Sequence, residues 1–289
     1  YFNNFKELFI HFYGTVVIYY MKFSVLLSIY YKESPIYFRE SLNSILSQTL
    51  RPSEIILVED GLLTEELDNE INRYLDLHPH LKIIPLSTNQ GLGKALNEGL
   101  KHCSYDIVAR MDTDDIAKPD RFEKQLAIFE KYSDIDVVGA WIDEFEDDIS
   151  EVKSVRKLPE LPDDIRQFAK RRNPINHPVV MFRKSAVLAA GGYRHFPLFE
   201  DYYLWIRMLM NGAKFYNIQE SLLYFRFSPE MFKRRGGWKY MINELHFLQM
   251  MRQMHFISFS QFMQNLFVRF SIRLIPNSLR AIIYTKLIR

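Results

Sequence analysis

From Phe23 onward, apolar runs of strand length alternate with segments whose apolar residues recur at helical spacing. Phe23 to Ile29, Ile55 to Val58, Lys82 to Pro85 and Ile107 to Met111 read as strands. Between them Phe38, Leu42, Ile45 and Leu46, then Leu67, Ile71, Tyr74 and Leu75, then Leu92, Ala95, Leu96 and Leu100 mark three helices, the first opened by Ser34-Pro35. Such alternation predicts an α/β fold with a mostly parallel sheet covered by helices on both faces. Ligands of such sheets bind at the carboxyl ends of the strands, where Tyr30, Asp60, Asn89 and Asp112 fall.

Past Met111 the pattern loosens. A helix from Pro119 carries Phe122, Leu126 and Phe129, and Ile135 to Trp141 reads as a strand. Glu144 to Glu151 is expected to be an acidic turn or hairpin, Leu158 to Asp164 a connector, and Arg166 to Arg172 a short basic helix. Val179 to Phe182 and Leu222 to Phe227 are predicted strands, Gly191-Gly192-Tyr193 a tight turn, and Leu204, Met208 and Leu209 the inner face of a helix stopped by Gly212. Lys233 to Gly237 is a basic loop, and from Trp238 the chain turns helical, aromatic and basic. The expected organisation is an extension over residues 1–20, a main domain over 21–230 and a helical appendage over 231–289. Tyr1 is not an initiator, and Met21-Lys22 before a strand looks like a natural beginning.

Composition changes this picture at few points. The 289 residues carry a formal net charge of +2, which does not point to nucleic acid. The charge is uneven, however. No Asp or Glu follows Glu244, whereas Arg252, Arg269, Arg273, Arg280, Lys286 and Arg289 do. Cys103 is the sole cysteine, so no internal disulfide forms, which fits a reducing compartment. Phe256, Phe259, Phe262, Leu266, Phe267 and Phe270 lie among Arg269 and Arg273, and Pro276 ends the run. No stretch reaches the roughly 20 uncharged residues of a spanning helix. The expectation is an amphipathic helix at an anionic membrane surface; packing of the same stripe against the main domain is the alternative.

Chemistry concentrates where Ile107 to Met111 gives way to Asp112, Asp114 and Asp115. Carboxylates this close repel unless positive charge compensates them, and Mn2+ or Mg2+ held by one or two carboxylates and a diphosphate is one solution. A solvated acidic turn before the Pro119 helix is another. An EF-hand is not, although Asp112, Asp114 and Glu123 have its spacing, because Ile116 and Ala117 replace a ligand and the required glycine. Glu200 and Asp201 open a helix, where the dipole favours acids; a cap and a catalytic base both fit, and spacing does not choose. Asp60 before Gly61 and Asn89 before a helix likewise suit a turn and a cap.

The segments SVLLSIYYKE, IILVEDG, NQGLGKALNEGL, ARMDTDD, NHPVVMFRKS, GGY and FEDYYLWIR, in that order, resemble the family 2 inverting glycosyltransferases of GT-A fold, particularly the bacterial surface-polysaccharide enzymes. The resemblance runs from about Lys22 to Phe227. It implies a nucleotide-sugar pocket formed by Ser28, Tyr30, Glu33 and Asp60, with Asn89, Gly91, Lys94, Arg110 and Asp112 near ribose and phosphates. It also implies Asp112 and Asp114 as metal ligands, with Asp114 the more direct, Asp201 as base, and His177, Glu200 and Trp205 on the acceptor side. Leu96 stands where the family usually has an arginine, leaving that role to Lys94, Arg110 or another cation. The implied activity is hexose transfer from a nucleotide sugar, UDP-linked by expectation, to a saccharide or polyprenyl-linked saccharide, by a peripheral enzyme at the inner face of the cell membrane. A nucleotidyltransferase lacks its basic glycine-rich loop after the first strand, where Tyr30-Tyr31-Lys32-Glu33 stands, and a silent carbohydrate-binding scaffold would not need Asp60, Asp112, Asp114 and Asp201.

Overall fold

The computed structural model describes residues 11–12, 15–16, 21–227 and 237–274. His11–Phe12 pairs antiparallel with Thr15–Val16. The remainder of the 1–20 extension, residues 228–236 with most of the basic loop, and everything after Leu274 lie outside the described residues.

The elements are β1 (Phe23–Ile29), α1 (Pro35–Leu46), β2 (Glu54–Glu59), α2 (Glu65–Leu75), β3 (Leu81–Pro85), α3 (Leu92–His102), β4 (Ile107–Arg110), β5 (Ile116–Ala117), α4 (Arg121–Lys131), β6 (Val137–Phe145), β7 (Ser154–Arg156), α5 (Pro162–Phe168), β8 (Met181–Arg183), α6 (Lys184–Ala189), α7 (Glu200–Met210), β9 (Phe215–Arg226), α8 (Gly237–Gln253) and α9 (Phe259–Leu274). Strands order as β3-β2-β1-β4-β8-β6-β9-β5, with β7 on β6. The β3-β2-β1-β4 half is parallel, as the alternation predicts. In the other half β8 runs antiparallel between β4 and β6, and β5 antiparallel to β9, while β6 and β9 are parallel.

Side chains alternate across β1, so the sheet closes two cores. Val25, Leu27 and Ile29 meet Phe38, Leu42 and Ile45 of α1 on one face, with α2 and α4 beside them. On the other face Leu26, Ile56 and Val58 pack with Leu96 and Leu100 of α3, and Phe182 and Phe215 with Trp205 of α7. Gly99 permits the α3 contact, because a Cβ there would lie 2.3 Å from Leu26 Cδ1.

Of the two forms open for Glu144 to Glu151 the structure has the hairpin: β6 runs past Trp141 to Phe145 and pairs antiparallel with β7, and Glu144 at its end is fully buried and paired with Arg156 and Ser154. Three expectations are corrected. The last strand begins at Phe215, helix α5 begins at Pro162 inside the expected connector, and Val179 belongs to a short 3-10 turn, His177–Val179, rather than to a strand. The 3-10 turn follows from His177-Pro178, since proline supplies no backbone donor and fits a first helical position.

Part of the C-terminal stripe packs against the main domain, the alternative open for it. Phe247, Leu248 and Met251 of α8, and Phe256, Ile257 and Phe262 beyond it, join the core under α7. Phe259, Met263 and Phe267 stay exposed. No helix among the described residues is long and apolar enough to cross a membrane.

Candidate active site

β1, β2 and β4 deliver their carboxyl ends to one rim, and each loop there is tied to the next. Beyond β1, Glu33 takes the Ser34 amide on one oxygen (2.9 Å) and the Thr113 hydroxyl on the other (2.7 Å), joining the Tyr30–Ser34 turn to the acidic loop. Ser28 is half-buried at the end of β1, and Tyr30 is exposed with its ring edge-on to Tyr31. Beyond β2, the buried Asp60 carboxylate accepts the amides of Gln90 (2.6 Å) and Gly91 (2.9 Å), while the Asn89 side chain donates to the Asp60 carbonyl (3.1 Å). This clamp needs Gly61: its φ is +90°, and a Cβ there would stand 2.6 Å from the Asn89 nitrogen. Asp60 thus fixes the loop that starts α3, with lone pairs left over for a further donor.

Asp112, Asp114 and Asp115 occupy the bend between β4 and β5, and oxygens of all three lie within 4.8 Å of one another. The bend is held from several sides. Ser41 donates to the Asp112 carbonyl (3.0 Å), and Arg226 donates through Nε to the Asp114 carbonyl (3.0 Å) and through its amide to Asp115 (2.8 Å). The Arg226 guanidinium also lies 3.9 Å from the Tyr37 ring. Below, the buried Arg121 donates to the Arg110 carbonyl (2.6 Å); burial, then Arg110, lower its pKa to about 9. Arg110 itself pairs with Asp112.

Positive charge from these arginines does not balance the cluster. Burial first, then repulsion from Asp112 and Glu33, lifts Asp114 to about 7, and burial together with Asp114 and Asp112 lifts Asp115 well above the carboxylate range. One oxygen of the fully buried Asp115 has no hydrogen-bond partner. An all-oxygen set of clustered, destabilised carboxylates with a spare acceptor fits a hard divalent cation.

The third side of the rim comes from α7 and the Gly191-Gly192-Tyr193 turn. Tyr193 exchanges hydrogen bonds with Asn97 of α3 through its amide (2.8 Å) and carbonyl (2.7 Å). A Cβ placed on Gly93 would lie 3.5 Å from the Tyr193 side chain and 3.7 Å from that of Glu200, so the start of α3 abuts the start of α7. The Tyr193 hydroxyl meets His177 Nε2 at 2.9 Å. Its phenol is pushed up by burial, with smaller influences from Arg110, Asp201 and Asp112. Desolvation and Arg110 hold His177 well below the usual imidazole range, hence neutral. Asp201 accepts from Asn173 at 2.6 Å. Glu200, raised by burial, stands 4.0 Å from His195.

Of the residues singled out in the sequence, Ser28, Tyr30, Glu33, Asp60, Asn89, Gly91, Arg110, Asp112, Asp114, His177, Glu200 and Asp201 lie on these interlocked loops and strand ends, with Lys94 exposed on the first turn of α3. Trp205 does not line a surface. It is wholly buried, 6.0 Å from the His177 ring and packed on Phe182 and Phe215, and so supports His177 from beneath. Tyr193, Asn173, Asp115 and Arg226 take structural parts at the site that the sequence analysis does not assign them.

The family model described as Glycosyl transferase family 2 matches residues 24–188. The chain is 41% identical over 271 residues to the UDP-Gal:alpha-D-GlcNAc-diphosphoundecaprenol beta-1,3-galactosyltransferase of Escherichia coli, covering 93% of this chain and 97% of that protein. It is 39% identical over 264 residues to the amylovoran biosynthesis glycosyltransferase AmsE of Erwinia amylovora, covering 91% of this chain and 98% of that one. The solved mannosyltransferase PcManGT from Pyrobaculum calidifontis, in complex with GDP-Man and Mn2+, shares the fold at a TM-score of 0.60 and 17% identity, covering 87% of this chain and 69% of that one.

Proposed function

The chain belongs to glycosyl transferase family 2, and from that premise we propose that it is an inverting enzyme moving a hexose from a UDP-sugar to a polyprenyl diphosphate-linked saccharide at the inner membrane face. The observation that carries the reading is the rim that gathers the clustered carboxylates of Asp112, Asp114 and Asp115, with Arg110 paired to Asp112, and sets the start of α7, with Glu200 and Asp201, against the start of α3. Donor phosphates and acceptor hydroxyl would meet between these groups.

Asp114 and Asp112 would hold Mn2+ or Mg2+, which when bound offsets charge developing on the departing diphosphate. Arg110, almost wholly buried and paired with Asp112, adds positive charge beneath the diphosphate rather than by direct contact. Ser28, Tyr30, Glu33 and the Asp60 clamp form the wall for base and ribose, with Asn89, Gly91 and Lys94 along the nucleotide. Asp201 removes the proton of the acceptor hydroxyl as it attacks, and a single displacement inverts the anomeric centre. Neutral His177 and Glu200 are assigned to the acceptor side.

Nucleotide-dependent thermal shifts test this assignment. UDP should raise the melting temperature only with Mn2+ or Mg2+, and Asp114→Ala should abolish that dependence. Asp201→Asn should keep the shift while transfer falls by about a hundredfold or more, the usual range for a lost general base. A UDP shift that ignores metal in both proteins would remove the acidic loop from the donor site.

A further inference from the structure

Asp112 to Asp115 fall between the end of β4 at Arg110 and the start of β5 at Ile116, outside the strand ladders. Three carboxylates with oxygens within 4.8 Å of one another push such a segment apart. What resists the push is a set of side chains from three other parts of the fold, each gripping a different residue of the bend. Ser41 of α1 donates to the Asp112 carbonyl (3.0 Å), Glu33 beyond β1 accepts from the Thr113 hydroxyl (2.7 Å), and Arg226 near the end of β9 donates through Nε to the Asp114 carbonyl (3.0 Å).

Both donors are set up by their own surroundings. Ser41 and Ser44 are buried one turn apart on the side of α1 that otherwise carries Phe38, Leu42 and Ile45, where a hydroxyl is unfavourable unless it is bonded. Ser44 takes the Ala117 amide of β5 (3.0 Å), so the two serines address the two ends of the same bend. Arg226 pairs through Nη2 with Glu40 of α1 at 2.5 Å, and its guanidinium lies 3.9 Å from the Tyr37 ring and 4.5 Å from the Phe145 ring. Its charge is thus met by Glu40 while Nε meets a carbonyl. Ser41 and Arg226 therefore fix the main chain of Asp112 and Asp114 through bonds that use none of the carboxylate oxygens of those two residues.

We propose that Ser41 and Arg226 are positioning residues that set the cation affinity of the acidic bend, by keeping the Asp112 and Asp114 carboxylates converged before the ion arrives. This rests on the metal role proposed above for those two residues. Mg2+ demands near-octahedral oxygens at about 2.0–2.1 Å, so a bend free to relax under its own repulsion binds the ion more weakly. Neither Ser41 nor Arg226 is assigned a contact with the ion; both act through the chain that carries its ligands.

The test reads the half-saturating Mn2+ concentration for the UDP-dependent thermal shift of the full chain, in the wild type and three variants. Arg226→Gln and Arg226→Met both lose the guanidinium, its Glu40 pair and its ring contacts. Only Arg226→Gln keeps an N–H on the δ carbon, where the arginine Nε stands. Arg226→Met and Ser41→Ala should each raise the half-saturating Mn2+ by about tenfold or more, the lower end of what losing a group that orients a metal ligand costs. Arg226→Gln should stay near the wild type in Mn2+ requirement while sharing the lower melting temperature of Arg226→Met. Equal weakening in the two Arg226 variants would make the effect one of charge or packing and overturn the positioning role. So would an unmoved Mn2+ requirement in Arg226→Met and Ser41→Ala. If Arg226→Met does not fold, Ser41→Ala, which removes a single hydroxyl, decides by itself. A wild-type UDP shift indifferent to Mn2+ is a separate failure: it takes the metal from the donor site and this inference with it.

Discussion

Asn173 shows how much a site residue depends on a neighbour that does no chemistry. Its amide nitrogen is 2.6 Å from Asp201, while its own carbonyl oxygen takes the Ile175 amide at 3.4 Å, so the side chain is oriented before it orients. Asn173→Ala should lower kcat by roughly a hundredfold, the cost of a misplaced reacting group of about 1 Å, and leave the KM for donor unchanged. Equal loss in kcat and donor affinity would mean a general collapse of the rim instead. Asp112, Asp114 and Asp201 are legible in the sequence because acids at a strand end and a helix start stand out by position. Asn173 and Tyr193 are not, because an Asn-Pro dipeptide and a Gly-Gly-Tyr turn look like loop chemistry until the fold brings them beside acids from other elements. Trp205 is misread for the converse reason: nothing in an amphipathic helix tells which aromatic on it faces a ligand and which faces the sheet.

At the scale of elements, the first half is the more legible. β1, β2 and β4 are buried on both faces and flanked by helices, so local pattern and long-range pairing agree. β8 and β9 reverse or extend the pattern through pairings across the sheet, which no local period records. What secures the parallel half at its other end is Glu54, at the start of β2. It takes the Ser24 hydroxyl of β1 (2.7 Å), the Lys82 ammonium of β3 (2.8 Å) and the Ser104 hydroxyl before β4 (2.9 Å), joining four strands through one carboxylate. Burial would raise its pKa, but bonds from Lys82, Ser104 and Ser24 prevail and bring it to about 2. A depressed carboxylate stabilises the fold above its unfolded value near 4.5, and that contribution is lost as pH falls toward about 2. Glu54→Gln should therefore cost about 1–3 kcal/mol at neutral pH, read from urea unfolding, and flatten the stability profile between those two values. A variant with the wild-type acid profile would show that the three bonds are made to the neutral group equally well.

On the scale of the whole molecule, the C-terminal helices are less an appendage than the sequence suggests, because α8 completes the core beneath α7. Phe247 is stacked on Phe199 at 4.8 Å, tilted against Tyr202 at 4.7 Å and edge-on to Phe196 at 5.1 Å. Phe199 immediately precedes Glu200 and Asp201, so the packing of α8 reaches the proposed base through a single residue. A truncation after Arg252 would strip Phe256, Ile257 and Phe262 from this core as well as the exposed stripe, and so would mix unfolding with loss of any surface contact. Point variants separate the two. Phe247→Ala should cost about 3–5 kcal/mol of stability, as large-to-small changes in packed cores do, and should lower kcat in the surviving folded fraction because the first turn of α7 loses its backing. Phe267→Ser should leave the unfolding midpoint where it is. Normal turnover per folded molecule in Phe247→Ala would show that the Gly191-Gly192-Tyr193 turn and Asn173 hold Asp201 without help from α8.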